Sequence, residues 1–464
     1  MSFTSLWYFP FLAGVAVIDY FLPGRPRRFF LLAASWFMYG LFGLPHFLLM
    51  VLVTLITYLA GRLAGMGRKG RKPALAACII LVAGILFYFK YFDMFLSGVE
   101  FLGGAFGVEL TFAERYVVLP VGISFYTFQS LSYVIDVYRG QEPEKNFARY
   151  ALFLSFFPQL VAGPIEQASW LIPQLETGKP VREDISAGIR YLLSGCVRKF
   201  VIADYMAGFV DEVYADPTGQ SGAALLLATV FFAIQIYCDF SGYTHIAIGS
   251  GRFLGIRLTE NFDRPYLARG CRDFWKRWHI TLTRWLTEYV YIPLGGNRKG
   301  EARKYFNILI VFLLSGLWHG ADMTFVLWGA FFGIWRIAEE KTGVRTGRAV
   351  TFALACLSWV FFRSQSVPEA FLVLQRIFTW AGGGVLPAGV TELADAALRI
   401  GILALLPRII PESFCPEKKG QTGICRADPA SRYYVVTVLG FLTAVCLLAA
   451  FGSGGGSSFI YFQF

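Results

Sequence analysis

An all-α membrane protein that crosses the bilayer many times is the fold class this sequence predicts, and three observations predict it. Hydrophobic residues make up 56% of the 464 positions. Charged residues make up only 16%, against about 25% in soluble chains, too few to cover a water-facing surface. Mean hydropathy is +0.54, and the apolar residues gather in runs of bilayer-crossing length. A soluble enzyme, a disordered chain and a secreted disulfide scaffold are thereby excluded.

The runs justify the elements in order. Met1–Pro10 lacks the basic region of a cleavable signal peptide, so the run to about Leu22 reads as the first span. Arg25, Arg27 and Arg28 follow, which places that loop in the cytoplasm and the N-terminus outside. Residues 29–60 are apolar but broken at Gly43-Leu44-Pro45, and basic residues from Arg62 to Lys72 close them. Bases at both ends require an out-and-back pair of short segments. A further run covers 73–89 and leads into Tyr88-Phe89-Lys90-Tyr91-Phe92, an interfacial aromatic stretch. Residues 117–138 form the next. Residues 147–165 carry Pro158, Gly163 and Pro164, which suits a broken or re-entrant helix lining a cavity, because lipid cannot satisfy freed backbone groups. Runs at 185–210, 223–249, 306–318, 324–338, 350–362, 396–406 and 433–451 bring the total to about ten to twelve embedded segments. Residues 1–451 read as one membrane domain and 452–464 as a flexible tether with an aromatic end. The absence of any repeat of roughly 20–50 residues, or of inverted halves, argues against a secondary transporter.

The charge is +11, and its distribution is uneven. Residues 252–304 hold twelve bases against five acids. This stretch alternates bases with aromatics such as Phe262, Phe274, Trp275, Trp278 and Trp285, suiting interfacial helices on the cytoplasmic side. The same face could dock an anionic cytosolic donor, a phosphate-bearing coenzyme or an acidic carrier protein. Residues 408–432 carry five bases and three acids, which puts them inside too and sends both termini outside, with Cys415 and Cys425 as reduced thiols. None of the eight cysteines forms a C-x-x-C pair, and Cys and His never cluster, so no metal site is expected. Nothing points to nucleic acid.

An ionisable residue inside an apolar span is expensive and therefore a functional candidate. His319 lies in Gly316-Leu317-Trp318-His319-Gly320, beside small residues that leave space. His279 sits where the basic stretch turns apolar, and Asp239 lies in a long apolar run with His245 six residues on. That pair either holds the bundle together or lines a tunnel. Histidine is a usable base near neutral pH. No Walker loop, dinucleotide fingerprint or Ser-His-Asp motif accompanies it, so deprotonation of a hydroxyl that attacks an activated acyl group is the chemistry left.

Seven pieces in order then resemble the membrane-bound O-acyltransferase family, in its bacterial alginate O-acetyltransferase-like branch. They are Leu119-Pro-Val-Gly-Ile-Ser-Phe-Tyr-Thr-Phe-Gln129, Phe157-Pro-Gln-Leu-Val-Ala-Gly-Pro-Ile165, Tyr237-Cys-Asp-Phe-Ser-Gly-Tyr243, Glu260-Asn-Phe-Asp-Arg-Pro-Tyr266, Phe274-Trp-Lys-Arg-Trp-His-Ile-Thr-Leu282, Tyr291-Ile-Pro-Leu-Gly-Gly-Asn-Arg298 and Gly316-Leu-Trp-His-Gly320. The resemblance implies a ring of tilted helices around a transmembrane tunnel, with His319 catalytic and His279 a second active-site residue. Asp239, Ser241, Tyr243 and Trp318 become candidates for tunnel lining or substrate binding. His245 departs from the Asp usual there. The implied donor is acetyl-CoA or another acyl thioester, and no cofactor is bound. The implied setting is the bacterial inner membrane, with lipids around the chain and a cell-envelope polysaccharide as final acceptor. An SGNH-hydrolase-like O-acetyltransferase on the outer side would be the partner. The C-terminal Phe459-Ile-Tyr461-Phe-Gln-Phe464 resembles a motif whose Tyr relays the acyl group, here Tyr461; an interfacial anchor is the alternative. Transfer of D-alanyl from an acyl carrier protein, and a non-catalytic lipid channel, are the rival functions.

Overall fold

Apolar runs become helices because buried backbone groups must pair among themselves where water is absent. The structure, a computed structural model, describes residues 5, 7–66, 68–112, 117–161 and 163–383. Helices Tyr8–Phe21, Gly24–Gly40 and Leu44–Gly65 follow the first three expected segments. The break at Gly43 has φ 122°, open to glycine, and Pro45 sits in the next helix's first turn, where a missing N–H is harmless. Arg27 and Arg28 stand inside the second helix and are buried rather than in a loop. Arg27 bonds Asp19 at 2.8 Å and donates to the carbonyls of Leu175 and Leu254, stapling three distant segments.

The fourth apolar run extends further than its hydropathy suggested. Residues Arg71–Ala105 form one 35-residue helical rod, interrupted only by a π-helical turn at Phe87–Tyr91. With Leu44–Gly65 and Gly222–Phe253 it makes three helices among the described residues that are long and apolar enough to cross a membrane. The expected broken segment is broken. Helices Phe147–Ser155 and Phe157–Leu160 give way to a non-helical loop at 163–167. Protein groups catch the freed backbone: Gln129 and Gln159 donate to the Phe153 carbonyl, Ser35 accepts from Phe157 N–H, and Thr281 accepts from Ile165 N–H.

Helix Gly222–Phe253, 32 residues long, is the axis of the molecule. Arg182–Cys196 lies against it through facing glycines. A Cβ on Gly195 would stand 2.7 Å from the Gly242 carbonyl oxygen, and one on Gly249 would stand 2.9 Å from that of Gly188. Small residues let backbones approach where hydrophobicity cannot drive helices together. The hairpin of Glu301–His319 and Met323–Thr342 uses the same device. There a Cβ on Gly316 would lie 2.2 Å from the Phe325 oxygen and one on Gly329 2.3 Å from that of Phe312. Helices Arg348–Arg363 and Val367–Phe378 follow. The described residues contain no strand. The runs at 396–406 and 433–451, Cys415, Cys425, the tether and Tyr461 lie outside the described residues.

Between the axis and the hairpin, the basic stretch folds as two short helices, Cys271–Arg277 and Ile280–Leu286. Its rings turn inward. Phe262, Phe274 and Trp278 belong to the core, while Arg257, Arg269, Arg272 and Lys276 remain exposed. An amphipathic sequence thus serves an inner edge and a basic outer one.

Candidate active site

His319 is the last residue of helix Glu301–His319, and its Nδ1 lies 2.6 Å from the carbonyl oxygen of Ser315 one turn back. A carbonyl can only accept, so Nδ1 carries the proton and Nε2 the lone pair. His279 is the hinge between the two short helices, with left-handed φ 43° and ψ 55°. A non-glycine residue there costs about 1–2 kcal/mol, and Asn261 holds it in place. The Asn261 carbonyl accepts from Ile280 N–H, and its Oδ1 accepts from Thr281 N–H and Oγ1, both at 3.0 Å. A backbone N–H is an unambiguous donor, so the atom facing it is the amide oxygen. His279 Nδ1, 3.2 Å from that same oxygen, must therefore donate as well. Its Nε2 is buried and has no hydrogen-bond partner among the described residues.

The two imidazoles lie 6.4 Å apart between ring centroids, both nearly inaccessible to solvent. His279 is not in the exposed basic edge, where its flanking bases would have put it. Aromatic rings wall the pair. Trp318 is 5.5 Å from His279 and 5.0 Å from His319. Phe240 covers His279 at 4.8 Å, and Trp328 and Phe362 cover His319 at 4.8 and 5.5 Å. In so apolar a box, a hydrogen bond from a substrate hydroxyl to imidazole is stronger than in water.

The other sequence candidates gather elsewhere. A second π-helical turn, Val197–Ala203, supplies Lys199, which pairs with Asp239 at 2.6 Å and Asp204 at 2.8 Å. Its ammonium also lies over the Tyr243 ring, and Arg198 donates to Ser241 at 2.9 Å. Asp239, Ser241 and Tyr243 thus form one buried ionic cluster. His245 faces Ser194 and the Tyr191 ring, so Asp239 and His245 do not pair. Of the four lining candidates, only Trp318 joins the histidines.

Asn261 and Glu166 join the surroundings of His279 without having been singled out by the sequence, although Asn261 lies inside one of the seven motifs and Glu166 directly follows another. Buried Glu166 accepts from the backbone N–H and hydroxyl of Thr259, two residues before Asn261. Ile165 N–H bonds Thr281. The non-helical loop therefore braces the strand of contacts that orients His279. For Glu166 the available signal was a carboxylate directly after an apolar motif; Asn261, inside a largely polar one, carried none.

A helical bundle with bilayer-crossing rods and two buried, tautomer-fixed imidazoles among its helices defines a membrane-embedded protein whose polar centre is walled off from water. Residues 144–342 match the family described as MBOAT, membrane-bound O-acyltransferase, and the chain belongs to that family. It is similar to the "Probable alginate O-acetylase AlgI" of Pseudomonas putida, 38% identical over 402 residues, 83% of this chain and 82% of that one. The protein of the same name from Azotobacter vinelandii is 33% identical over 503 residues, covering both chains fully. The "Peptidoglycan O-acetyltransferase" of Helicobacter pylori is 33% identical over 420 residues, 80% of this chain and 78% of that one. The chain is a membrane O-acyltransferase, and both histidines fall within the matched region.

Proposed function

We propose that the chain moves an acetyl group from a cytosolic thioester to the outer side of the bacterial inner membrane, for O-acetylation of a cell-envelope polysaccharide. The observation that carries this reading is the histidine pair, with both Nδ1 protons committed to fixed acceptors. His319 is the general base. Its Nε2 takes the hydroxyl proton of the acceptor as that oxygen attacks the thioester carbonyl. The tetrahedral intermediate collapses, the C–S bond breaks, and the proton passes to the departing thiolate, leaving an ester and a free thiol. His279 positions or assists from across the box. The names of the relatives above, alginate O-acetylase and peptidoglycan O-acetyltransferase, support an acetyl group and an envelope polymer.

The donor is acetyl-CoA, drawn to the exposed bases of residues 257–276 by its phosphates. The tail tyrosine, Tyr461, receives the acetyl group first and hands it to an SGNH-hydrolase-like enzyme outside. A phenol has pKa near 10, so a neutral imidazole beside it is the required activator. Acetyl transfer by purified full-length protein tests the assignment. His319→Ala should lose about 10²–10⁴-fold and His279→Ala less. The reverse order would refute the roles.

A further inference from the structure

We infer that Lys90 and Tyr91 form a clamp that positions His319 by closing the last turn of its helix. An α-helix leaves its last four carbonyls without intrahelical partners, and here all four are accounted for. The Gly316 oxygen accepts from Gly320 N–H at 3.3 Å, and that of Leu317 from the Tyr91 hydroxyl at 2.8 Å. The oxygens of Trp318 and His319 both accept from Lys90 Nζ, at 2.7 and 3.0 Å. Three of the four bonds therefore come from a different helix, 226 to 229 residues away in sequence.

The device is costly where a cheap one exists. Helices ordinarily end on a glycine in the left-handed conformation with backbone bonds alone, but Gly320 is extended here, at φ −157°. The alternative requires an ammonium group inside an apolar rod, which is expensive and marks function. It also requires the π-helical turn Phe87–Tyr91, a distortion frequent at functional sites. That turn carries both Lys90 and Tyr91. A cation at a helix C-terminus also complements the carbonyl dipoles that converge there. His319 occupies the terminal turn, the part of a helix that frays first, so its ring is only as well placed as that turn. Lys90 is a positioning residue, acting through the backbone of His319.

The inference rests on His319 being the base, and its test is separable from that reading. In acetyl transfer by full-length protein, Lys90→Met should lower kcat about 100-fold, the scale of a small misplacement of reacting groups. The KM for acetyl-CoA should stay within about twofold, since donor contacts are untouched. Lys90→Arg keeps a cation with several donors and should restore kcat to within about threefold of wild type. Tyr91→Phe loses one bond and should cost roughly three- to tenfold in kcat. Wild-type kcat in Lys90→Met, a loss confined to KM, or no rescue by Arg would overturn the clamp. If Lys90→Met does not fold, Tyr91→Phe and Lys90→Arg decide, and full activity of Tyr91→Phe refutes it. A wild-type chain inert toward acetyl-CoA would instead count against the proposed donor. The same variants are then ranked by polysaccharide O-acetyl content in cells at matched expression, with the same order expected.

Discussion

A neutral imidazole accepts a proton only at the nitrogen that does not already hold one, so the partner of Nδ1 decides whether a buried histidine can be a base. For His279 that partner is Asn261 Oδ1, which serves three donors at once. Asn261→Ala would strand them and release both tautomer and hinge; we expect kcat to fall about tenfold or more. Asn261→Asp, which keeps an acceptor oxygen, should fall less. A fully active Ala variant in the transfer assay would remove Asn261 from the site. Glu166 sits in the loop at 163–167, and burial pushes its carboxyl from 4.5 up to about 7, against the pull of the Thr259 bonds and of Arg284. The folded chain therefore keeps a proton that the unfolded chain loses near pH 4.5. This contribution to stability is complete below that pH and declines as pH rises to about 7. Glu166→Gln cannot titrate. Melting temperatures at pH 5 and pH 8 should drop more for wild type than for the variant, and equal slopes would contradict the assignment.

Helix packing sets the distance between the two imidazoles. Gly316 lies three residues before His319, and its backbone meets the next helix so closely that any Cβ would overlap the Phe325 carbonyl. Overpacking of this kind costs about 1–3 kcal/mol, and the backbone shift would move His319 with it. Gly316→Ala should therefore lower both melting temperature and acetyl transfer. Gly84 provides the contrast. It is helical, and a Cβ there would meet nothing within 4 Å. Ala at that position should be neutral or add about 0.5–1 kcal/mol. If the two variants melt alike, close approach is not what the hairpin glycine provides.

Across the whole molecule, the proposed reaction joins an inner donor to an outer acceptor, and the proposal gives the tail the carrier's part. Tyr461 lies outside the described residues, so its role rests on sequence: seven residues rich in Gly and Ser, 452–458, precede the aromatic end. Gly/Ser-rich linkers of seven residues in general reach roughly 13–16 Å, which is the span a relay would need. Tyr461→Phe keeps the ring and its interfacial affinity while removing one oxygen. If the hydroxyl carries the acetyl group, polysaccharide O-acetylation in cells is abolished at normal expression. Near wild-type acetylation would make the tail an anchor.

Hydropathy is a local property, and so the sequence by itself determined the helical class, most of the segments and the break near Pro158. It also pointed to His319 and His279 through seven ordered motifs. It could not say that imidazoles forty residues apart share one aromatic box, because that depends on where the hinge at His279 folds back. Nor could it assign partners. Asp239 has a histidine six residues away, but helix geometry turns the two to different neighbours and gives the carboxylate to Lys199 on another element. Lys90 reads as one base in an interfacial aromatic stretch, and only a π-helical turn beside the end of a distant helix makes it a cap. Spans follow from the free energy of transferring each residue out of water. Sites follow from which buried polar groups must satisfy one another, and only the tertiary structure decides that.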